Sequence, residues 1–416
     1  MLGSGAREHA ITKTLIRTGT PAADIVVAPG NAGIASDART EASLNPNDPA
    51  AVTAFALAEG ITLAVIGPEA PLVAGVSDAL RAAGIAVFGP SKRAAELEGS
   101  KSFAKEVMAA AGVPTGMARE CQTLGEVEAA MNDFGAPYVI KADGLAAGKG
   151  VIVTSDREAA LAHAAKFIDM GILVEEFLDG QEVSLFFLSD GKTVLPLSPA
   201  QDFKRAYDND EGPNTGGMGA YSPLPWLPAG FVEEVERTVA QPTVDELARL
   251  GAPFVGLLYC GLIVTDRGIR VIEFNARFGD PETQVVLRRL ITPLASLLHR
   301  AATGRLDDGP SANFSTDVAI TVVLASEGYP ETPAPNRVIT GLHEDEHVHI
   351  CHAATALSPK DLSGEPELLA TGGRVLSVVA SAADFKTARE LAYANIEKIS
   401  LEGSHYRRDI AAKVAN

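Results

Sequence analysis

The chain has 416 residues, 46% of them hydrophobic and 21% charged, and its 35 basic against 53 acidic side chains leave a net charge of −18. That composition supports a substantial core and about two or three domains, and it excludes disordered, collagen-like and small disulfide-stapled folds. The negative field excludes nucleic acid and an anionic membrane surface as main partners. Cys121, Cys260 and Cys351 are widely spaced with no CxxC pair, so neither a zinc ribbon nor a disulfide framework is expected. The apolar runs are strand-sized and the start lacks a signal-peptide core, so a soluble cytoplasmic protein is expected.

In chain order, apolar runs at 25–28, 63–66 and 85–88 each end in a glycine turn, with helical patterns such as Val76–Ala83 between them. This alternation predicts an open parallel α/β sheet over residues 1–97, with ligands at the carboxyl ends of its strands. Over 98–310 the spacing predicts antiparallel hairpins: Tyr138–Ala142 with Val151–Thr154, Leu173–Phe177 with Val183–Leu188, and Gly261–Thr265 with Ile269–Phe274. After Pro310 come strand patterns at Val318–Ala325, His347–His352 and Arg374–Ser381, then a helix over Ala383–Ile399. Residues 311–416 thus read as a third, α+β unit behind the α/β start.

Three glycine loops compete for phosphate. Gly3-Ser4-Gly5-Ala6-Arg7-Glu8 begins like a dinucleotide fingerprint, but that motif needs glycine where Glu8 stands, which disfavours a dehydrogenase. A helix starting near Arg7 still offers free N–H groups to a smaller anion. Gly144 to Gly150 is one residue short of a Walker A loop and carries Gly150 where the magnesium-binding hydroxyl belongs. Its strand-like flanks suggest a hairpin whose Lys149 could fold over a triphosphate, or simply a tight turn. Gly212 to Gly219 is too glycine-dense for a regular element and reads as an ordered loop or a close backbone approach to a ligand.

Period two along 271–277 puts Glu273, Asn275 and Arg277 on one strand face. Oxygen donors two residues apart suit Mg²⁺, which keeps waters and shares phosphate oxygens. A merely polar strand face gives the same alternation. The lysine hairpin and the acidic stretch Val174 to Glu182 tip the reading to a nucleotide site.

At these residues the sequence resembles the ATP-grasp superfamily and, within it, the phosphoribosylamine–glycine ligase family. The resemblance covers nearly the whole chain: GSGAREHA (3–10), APGNAG (28–33), GPEAPL (67–72), FGPS (88–91), LEGSK (97–101), KADGLAAGKGV (141–151), VEEFLDG (174–180), QDFKR (201–205), GPNTGGMGAYSP (212–223), RFGDPETQ (277–284) and GGRVL (372–376). RFGDPE together with GPNTGGMG is specific to this ligase, whereas the lysine hairpin and EFN mark only the superfamily. The resemblance implies an ATP-grasp fold with a lid over about 117–188. It also implies ligation of glycine to 5-phosphoribosylamine through glycyl phosphate, with ATP and Mg²⁺ or Mn²⁺, by a chain whose default state is a monomer.

Residue by residue, the resemblance assigns Lys101 and Lys141 to the nucleotide phosphates, under a mobile hairpin containing Gly144, Gly148, Lys149 and Gly150. Glu175, Glu176 and Leu178 fall at the adenine edge and Glu182 at the ribose. Glu273 and Asn275 are the implied metal ligands. Arg277 and Asp280 are candidates for the transferred phosphate and the glycine ammonium, with their division open. Gly5, Arg7, Glu8, Glu69 and Asn214 are candidates for holding the ribosylamine, and Arg374 for clamping its 5-phosphate.

Some features depart from the family pattern. Only Met1 and Leu2 precede Gly3, so the first sheet is expected to lack a member, and the lid between Ala165 and Leu173 is short. Tyr259 to Leu262 offers no further carboxylate for a second metal ion. Another ATP-grasp carboxylate–amine ligase or carboxylase, and a nucleotide sensor without chemistry, remain the rival readings. His343, His347, His349 and His352 read as solvated strand residues, Cys260 as core, His9 as a capping or packing residue, and Asp208 to Glu211 as a solvated loop edge.

Overall fold

The first apolar runs build a parallel sheet in the computed structural model, which describes residues 1–144, 150–359 and 366–415. β1 (Leu2–Gly3) pairs with β2 (Val26–Pro29), β2 with β3 (Arg39–Thr40), and β4 (Leu63–Val65) with β5 (Ala86–Phe88), all in parallel. A Leu2–Ile66 bridge and a 3.0 Å bond from Gly67 N–H to Leu2 O join the two groups in the order β3-β2-β1-β4-β5. The order reverses beside β1, so the turns after β1, β2 and β4 open into one crevice. Short as it is, β1 holds the central place, and the expected gap in the sheet does not reach its loop. Beside this sheet lies a cavity of about 980 Å³, whose lining mixes Met1, Val26, Phe55 and Leu63 with Arg39, Glu59 and Asp308.

β6 (Ala118–Cys121), β7 (Tyr138–Ala142), β8 (Val151–Thr154) and β9 (Ile172–Glu175) form an antiparallel sheet in the order β6-β9-β7-β8. The helices Leu124–Phe134 and Arg157–Phe167 cover it, around a separate core that includes Cys121, Met131, Ile140 and Ile172. The first of these helices starts on a reciprocal Thr123–Glu126 cap. The β7–β8 hairpin forms as predicted.

The next strands are β10 (Gln181–Asp190), β11 (Val194–Pro196), β12 (Gln201–Asp202), β13 (Arg205–Tyr207), β14 (Glu211–Asn214), β15 (Gly219–Ser222), β16 (Val255–Thr265) and β17 (Gly268–Asn275). One sheet runs β11-β10-β16-β17. The predicted pairing of 173–177 with 183–188 is therefore wrong: β9 pairs with β6 and β7, while β10 lies along the whole of β16. Leu178-Asp179-Gly180 carries the chain between two sheets rather than around a hairpin. The Cβ of any residue at Gly180 would sit 2.1 Å from Val264 O. The β6–β9 sheet accordingly ends at Glu175, and 181–190 belongs to the next sheet.

The last strands are β18 (Val318–Ala325), β19 (Arg337–Val338), β20 (Val348–His352), β21 (Thr355–Leu357), β22 (Leu368–Ala370) and β23 (Arg374–Ala382), followed by the helix Phe385–Ile396. Their main sheet runs β12-β15-β18-β23-β20, so part of the glycine-rich segment is strand after all. Buried backbone needs ladder partners, and the free edge of β18 supplies them to Gly219–Ser222. The acidic run is exposed at Asn209, Asp210 and Glu211, as expected, but it is tied to the chain's far end. Asp210 pairs at 2.8 Å with the fully buried Arg407, and Asp208 accepts the Arg408 N–H at 2.6 Å.

Candidate active site

A cavity of about 550 Å³ opens where the carboxyl ends of the first sheet, the β6–β9 sheet, β17 and β23 converge. Its nucleotide-like end begins at the root of the β7–β8 hairpin. Asp143 accepts the Lys101 N–H at 2.6 Å and so caps the helix Lys101–Ala111. Lys101 Nζ donates to Gly144 O at 3.0 Å. Lys141, on β7, is buried and lies 3.0 Å from Glu175 Oε2, with Lys105 Nζ at 3.4 Å from the same oxygen. Glu175 is therefore turned inward to two lysines. Glu176 accepts Met117 N–H at 3.1 Å and pairs with Arg267, and Leu178 packs on Gly116. Glu182 lies on β10 against Lys204. Gly150 lines the cavity, whereas Gly148 and Lys149 fall outside the described residues.

β17 presents Glu273, Asn275 and, just beyond it, Arg277, as its alternation predicts. Gly261 faces Glu273 in the ladder, and its lack of a Cβ leaves room for that side chain. Burial pushes the Glu273 carboxyl up, but Lys204, Lys141, Lys101 and Arg277 outweigh it and hold it below the ordinary range. An ionised carboxylate beside an amide oxygen fits a hard divalent cation that takes its remaining ligands from phosphate and water. Arg277 is held 2.9 Å from Glu98 Oε1 and 3.5 Å from Glu69 Oε2, and it donates to Asn275 Oδ1 at 3.2 Å. Burial would lower its pKa, yet Glu98 and Glu69 raise it and keep it charged. Asp202, also lining the cavity, is pushed up to about 7 by burial, against the opposing charge of Lys204.

The other end is built by the first loop. Glu8 accepts the Gly5 N–H at 2.6 Å and the Arg7 Nε–H at 2.6 Å. Its carboxylate thus takes one of the N–H groups that the sequence reading offered to an anion. A Cβ at Gly3 or Gly67 would lie 2.6 or 2.1 Å from Glu8 side-chain atoms, which accounts for both glycines. Arg7 also donates to Phe278 O at 3.1 Å. Asp280 accepts from Gln284 at 2.8 Å and lies 3.5 Å from Arg374. Burial opposes its ionisation, while Arg374 and Arg7 keep its carboxyl below the usual range. Arg374 Nη1 is bound to Gly216 O at 2.6 Å and Asp280 O at 2.8 Å. A Cβ at Gly216 would meet the Arg374 guanidinium at 2.9 Å, and one at Gly217 would meet Pro281 at 2.4 Å. The glycine loop and the Gly279-Asp280-Pro281 turn therefore fit only as a pair.

Arg7, Glu69, Lys101, Lys141, Gly144, Glu175, Glu273, Asn275, Arg277, Asp280 and Arg374 all line this one cavity. Asn214 does not: it faces Arg205 in the β13–β14 ladder, and its neighbours Thr215 and Gly216 line the cavity instead. Sequence reasoning assigned no role to Glu98, Lys105, Asp202, Lys204, Tyr259, Glu282 or Tyr329, which line it too. Glu98, Asp202 and Lys204 stood inside motifs that drew attention, but nothing local tied them to Arg277 or Glu273.

Comparison with known families accounts for this assembly. The phosphoribosylglycinamide synthetase N domain matches residues 1–98, its ATP-grasp (A) domain 99–283 and its C domain 319–413. The chain belongs to the phosphoribosylglycinamide synthetase family. Among its relatives, the phosphoribosylamine–glycine ligase of Leifsonia xyli is 63% identical, over 99% of both chains. That of Streptomyces coelicolor is 58% identical, over 100% of this chain and 99% of the relative. The crystal structure of phosphoribosylamine–glycine ligase from Thermotoga maritima superimposes with a TM-score of 0.83 at 32% identity, covering 98% of each chain. A biotin carboxylase domain from Hydrogenobacter thermophilus shares the fold, with a TM-score of 0.71 at 17% identity over 97% of this chain and 91% of that one. The family member described here therefore has the ATP-grasp fold, combining α/β and α+β parts, and is an ATP-grasp ligase. Among its described residues no helix is long and apolar enough to cross a membrane.

Proposed function

We propose that this chain joins glycine to 5-phosphoribosylamine with ATP, giving glycinamide ribonucleotide, ADP and phosphate in purine synthesis. The observation that carries the reading is one continuous cavity, with Lys101, Lys141 and Glu273 at one end and Arg7, Glu69 and Arg374 at the other. Such a cavity suits a triphosphate and a phosphoribosyl group that must react head to head. A glycine carboxylate oxygen attacks the γ-phosphorus and ADP leaves, forming glycyl phosphate. The ribosylamine nitrogen then attacks the carbonyl carbon, and phosphate departs. No nucleophilic side chain is required: the work is positioning and charge neutralisation.

Lys101 and Lys141 meet the ATP phosphates near Gly144 and Gly150, the chain from Glu175 to Leu178 receives adenine, and Glu182 takes the ribose. Glu273 and Asn275 would hold Mg²⁺, or Mn²⁺ in its place, which would supply charge neutralisation to the phosphates. Arg277 neighbours Asn275 and so is assigned to the transferred phosphoryl group, leaving the glycine ammonium to Asp280. Arg7, Glu69 and Arg374 hold the ribosylamine. In this reading the domains are 1–97, 98–310 and 311–416, and the enzyme works as a cytoplasmic monomer.

The test is ADP release from Mg-ATP with glycine and freshly generated phosphoribosylamine, omitting each in turn. Release that needs both, with glycinamide ribonucleotide seen by mass, supports the assignment. Turnover with a different amine or carboxylate refutes the substrates, and ATP binding without turnover refutes the ligase reading.

A further inference from the structure

The backbone N–H and C=O of His352, on the last sheet, are both gripped by side chains of the first unit, one from its first helix and one from the loop after β2. Its N–H donates to His9 Nδ1 at 2.8 Å, and its carbonyl accepts from Asn31 Nδ2 at 2.8 Å. Because Nδ1 accepts there, the His9 proton sits on Nε2 and is donated to Asp37 Oδ2 at 2.9 Å. Asp37 is held in turn by Lys13 at 3.1 Å, and Lys13 by Glu344 at 3.1 Å. Asn31 Nδ2 also reaches Ser4 O at 2.8 Å, inside the Gly3–Gly5 loop, while its own oxygen accepts from Ile34 N–H at 2.9 Å. Gly33 makes this packing possible, since a Cβ there would stand 2.3 Å from the His352 ring and 2.6 Å from that of His9.

The grip leads directly to the arginine end of the cavity. Two residues beyond His352, the Ala354 N–H donates to Arg374 O at 3.2 Å, and Ala353 N–H to Val375 O at 2.9 Å. Arg374 then spans Gly216 and Asp280, whose Oδ2 lies 3.7 Å from where a Cβ at Gly5 would be. One chain of contacts thus runs from Ser4 through Asn31 and His352 to Arg374. It fixes the distance between the two walls of the cavity's arginine end.

We propose that His9 and Asn31 are positioning residues that set the spacing between the Gly5–Arg7 wall and Arg374, and so determine affinity for the phosphoribosylamine. The proposal rests on the substrate reading above. Neither residue lines the cavity or bonds to the strand that carries Glu273 and Asn275, so their effect is confined to one substrate.

The experiment is steady-state kinetics of His9→Ala and Asn31→Ala with each substrate varied in turn. Expected is a rise of about tenfold in KM for phosphoribosylamine, the factor that one or two buried hydrogen bonds control. The values of kcat and of KM for ATP and glycine should stay within about twofold. His9→Asn, which keeps an oxygen near the Nδ1 position for the His352 N–H, should recover most of the loss. If His9→Ala folds poorly, Gly33→Ala forces both imidazoles apart and must give the same split. An unchanged KM for phosphoribosylamine overturns the proposal, as does a parallel rise in all three KM values with a lowered melting temperature. Wild-type protein that makes no glycinamide ribonucleotide overturns the substrate reading and this inference together. An active wild type without the split removes only the inference.

Discussion

At the scale of single residues, Glu273 is the group whose charge the site is arranged to keep. Glu273→Gln preserves shape and removes that charge from among Lys101, Lys141, Lys204 and Arg277. We expect kcat to fall by about 100-fold or more and the Mg²⁺ needed for half-maximal rate to rise, measured by kinetics across a Mg²⁺ titration. Two glycines give opposite expectations. Gly67→Ala places a methyl 2.1 Å from Glu8 Oε1 and should destabilise by about 1–3 kcal/mol. Gly125→Ala, within the helix Leu124–Phe134 and with nothing within 4 Å, should stabilise by about 0.5–1 kcal/mol. Urea denaturation of both variants checks the pair. Residue-scale legibility followed periodicity. Glu273, Asn275 and Arg277 could be read because a strand's period of two puts them on one face. Glu98 and Lys105 could not, because they reach Arg277 and Glu175 from a helical segment distant in sequence.

At the scale of elements, the β13–β14 hairpin that leads into the glycine loop is clasped by a residue near the chain's far end. Arg407 is wholly buried, lies 2.8 Å from Asp210 and 2.6 Å from Asp409, and stacks 5.0 Å from the Phe203 ring centroid. Arg407→Met removes those hydrogen bonds and the stacking, and, with Asp210 largely exposed, should cost about 1–3 kcal/mol in urea denaturation. Most strands were legible as apolar runs, and the β7–β8 and β16–β17 hairpins followed from short polar loops between them. The failures concern partner choice. β10 looked like the return strand of β9 but joins β16, where it can bury Leu185 and Phe187 against a long apolar strand. At the start of the first helix Glu8 folds back on the Gly5 N–H, a contact no spacing announced.

For the whole molecule, the interface between the first and last sheets makes stability depend on acidity. Burial pushes both His349 and His352 down to about 4, with Arg288 adding to the effect on the first and His9 on the second. Between the ordinary value of 6.5 and about 4, the unfolded chain binds protons that these folded imidazoles refuse. Stability should therefore fall as pH drops through that window and be insensitive to these groups above it. Asp37 is also shifted down, but because its charged form is favoured rather than because a charged form is refused. Burial would raise it, but the His9 hydrogen bond and Lys13 hold it at about 2, so its contribution persists above 3.8 and is lost only as pH falls towards 2. Melting temperatures from pH 7.5 down to 4.5 check the histidine window, and His352→Gln should flatten the slope.

The amino-acid sequence by itself determined which segments are strands and helices, where the glycine turns fall and which strand carries the metal-type donors. All of these are local, being periods of 2 or 3.6 residues or fixed spacings within one segment. Only the tertiary structure decided which strand β10 joins, how the glycine loop meets Arg374, and why Glu98, Lys204 and His9 matter. Those outcomes depend on which apolar faces and open strand edges are buried together, and on charges that meet only after burial has chosen their neighbours.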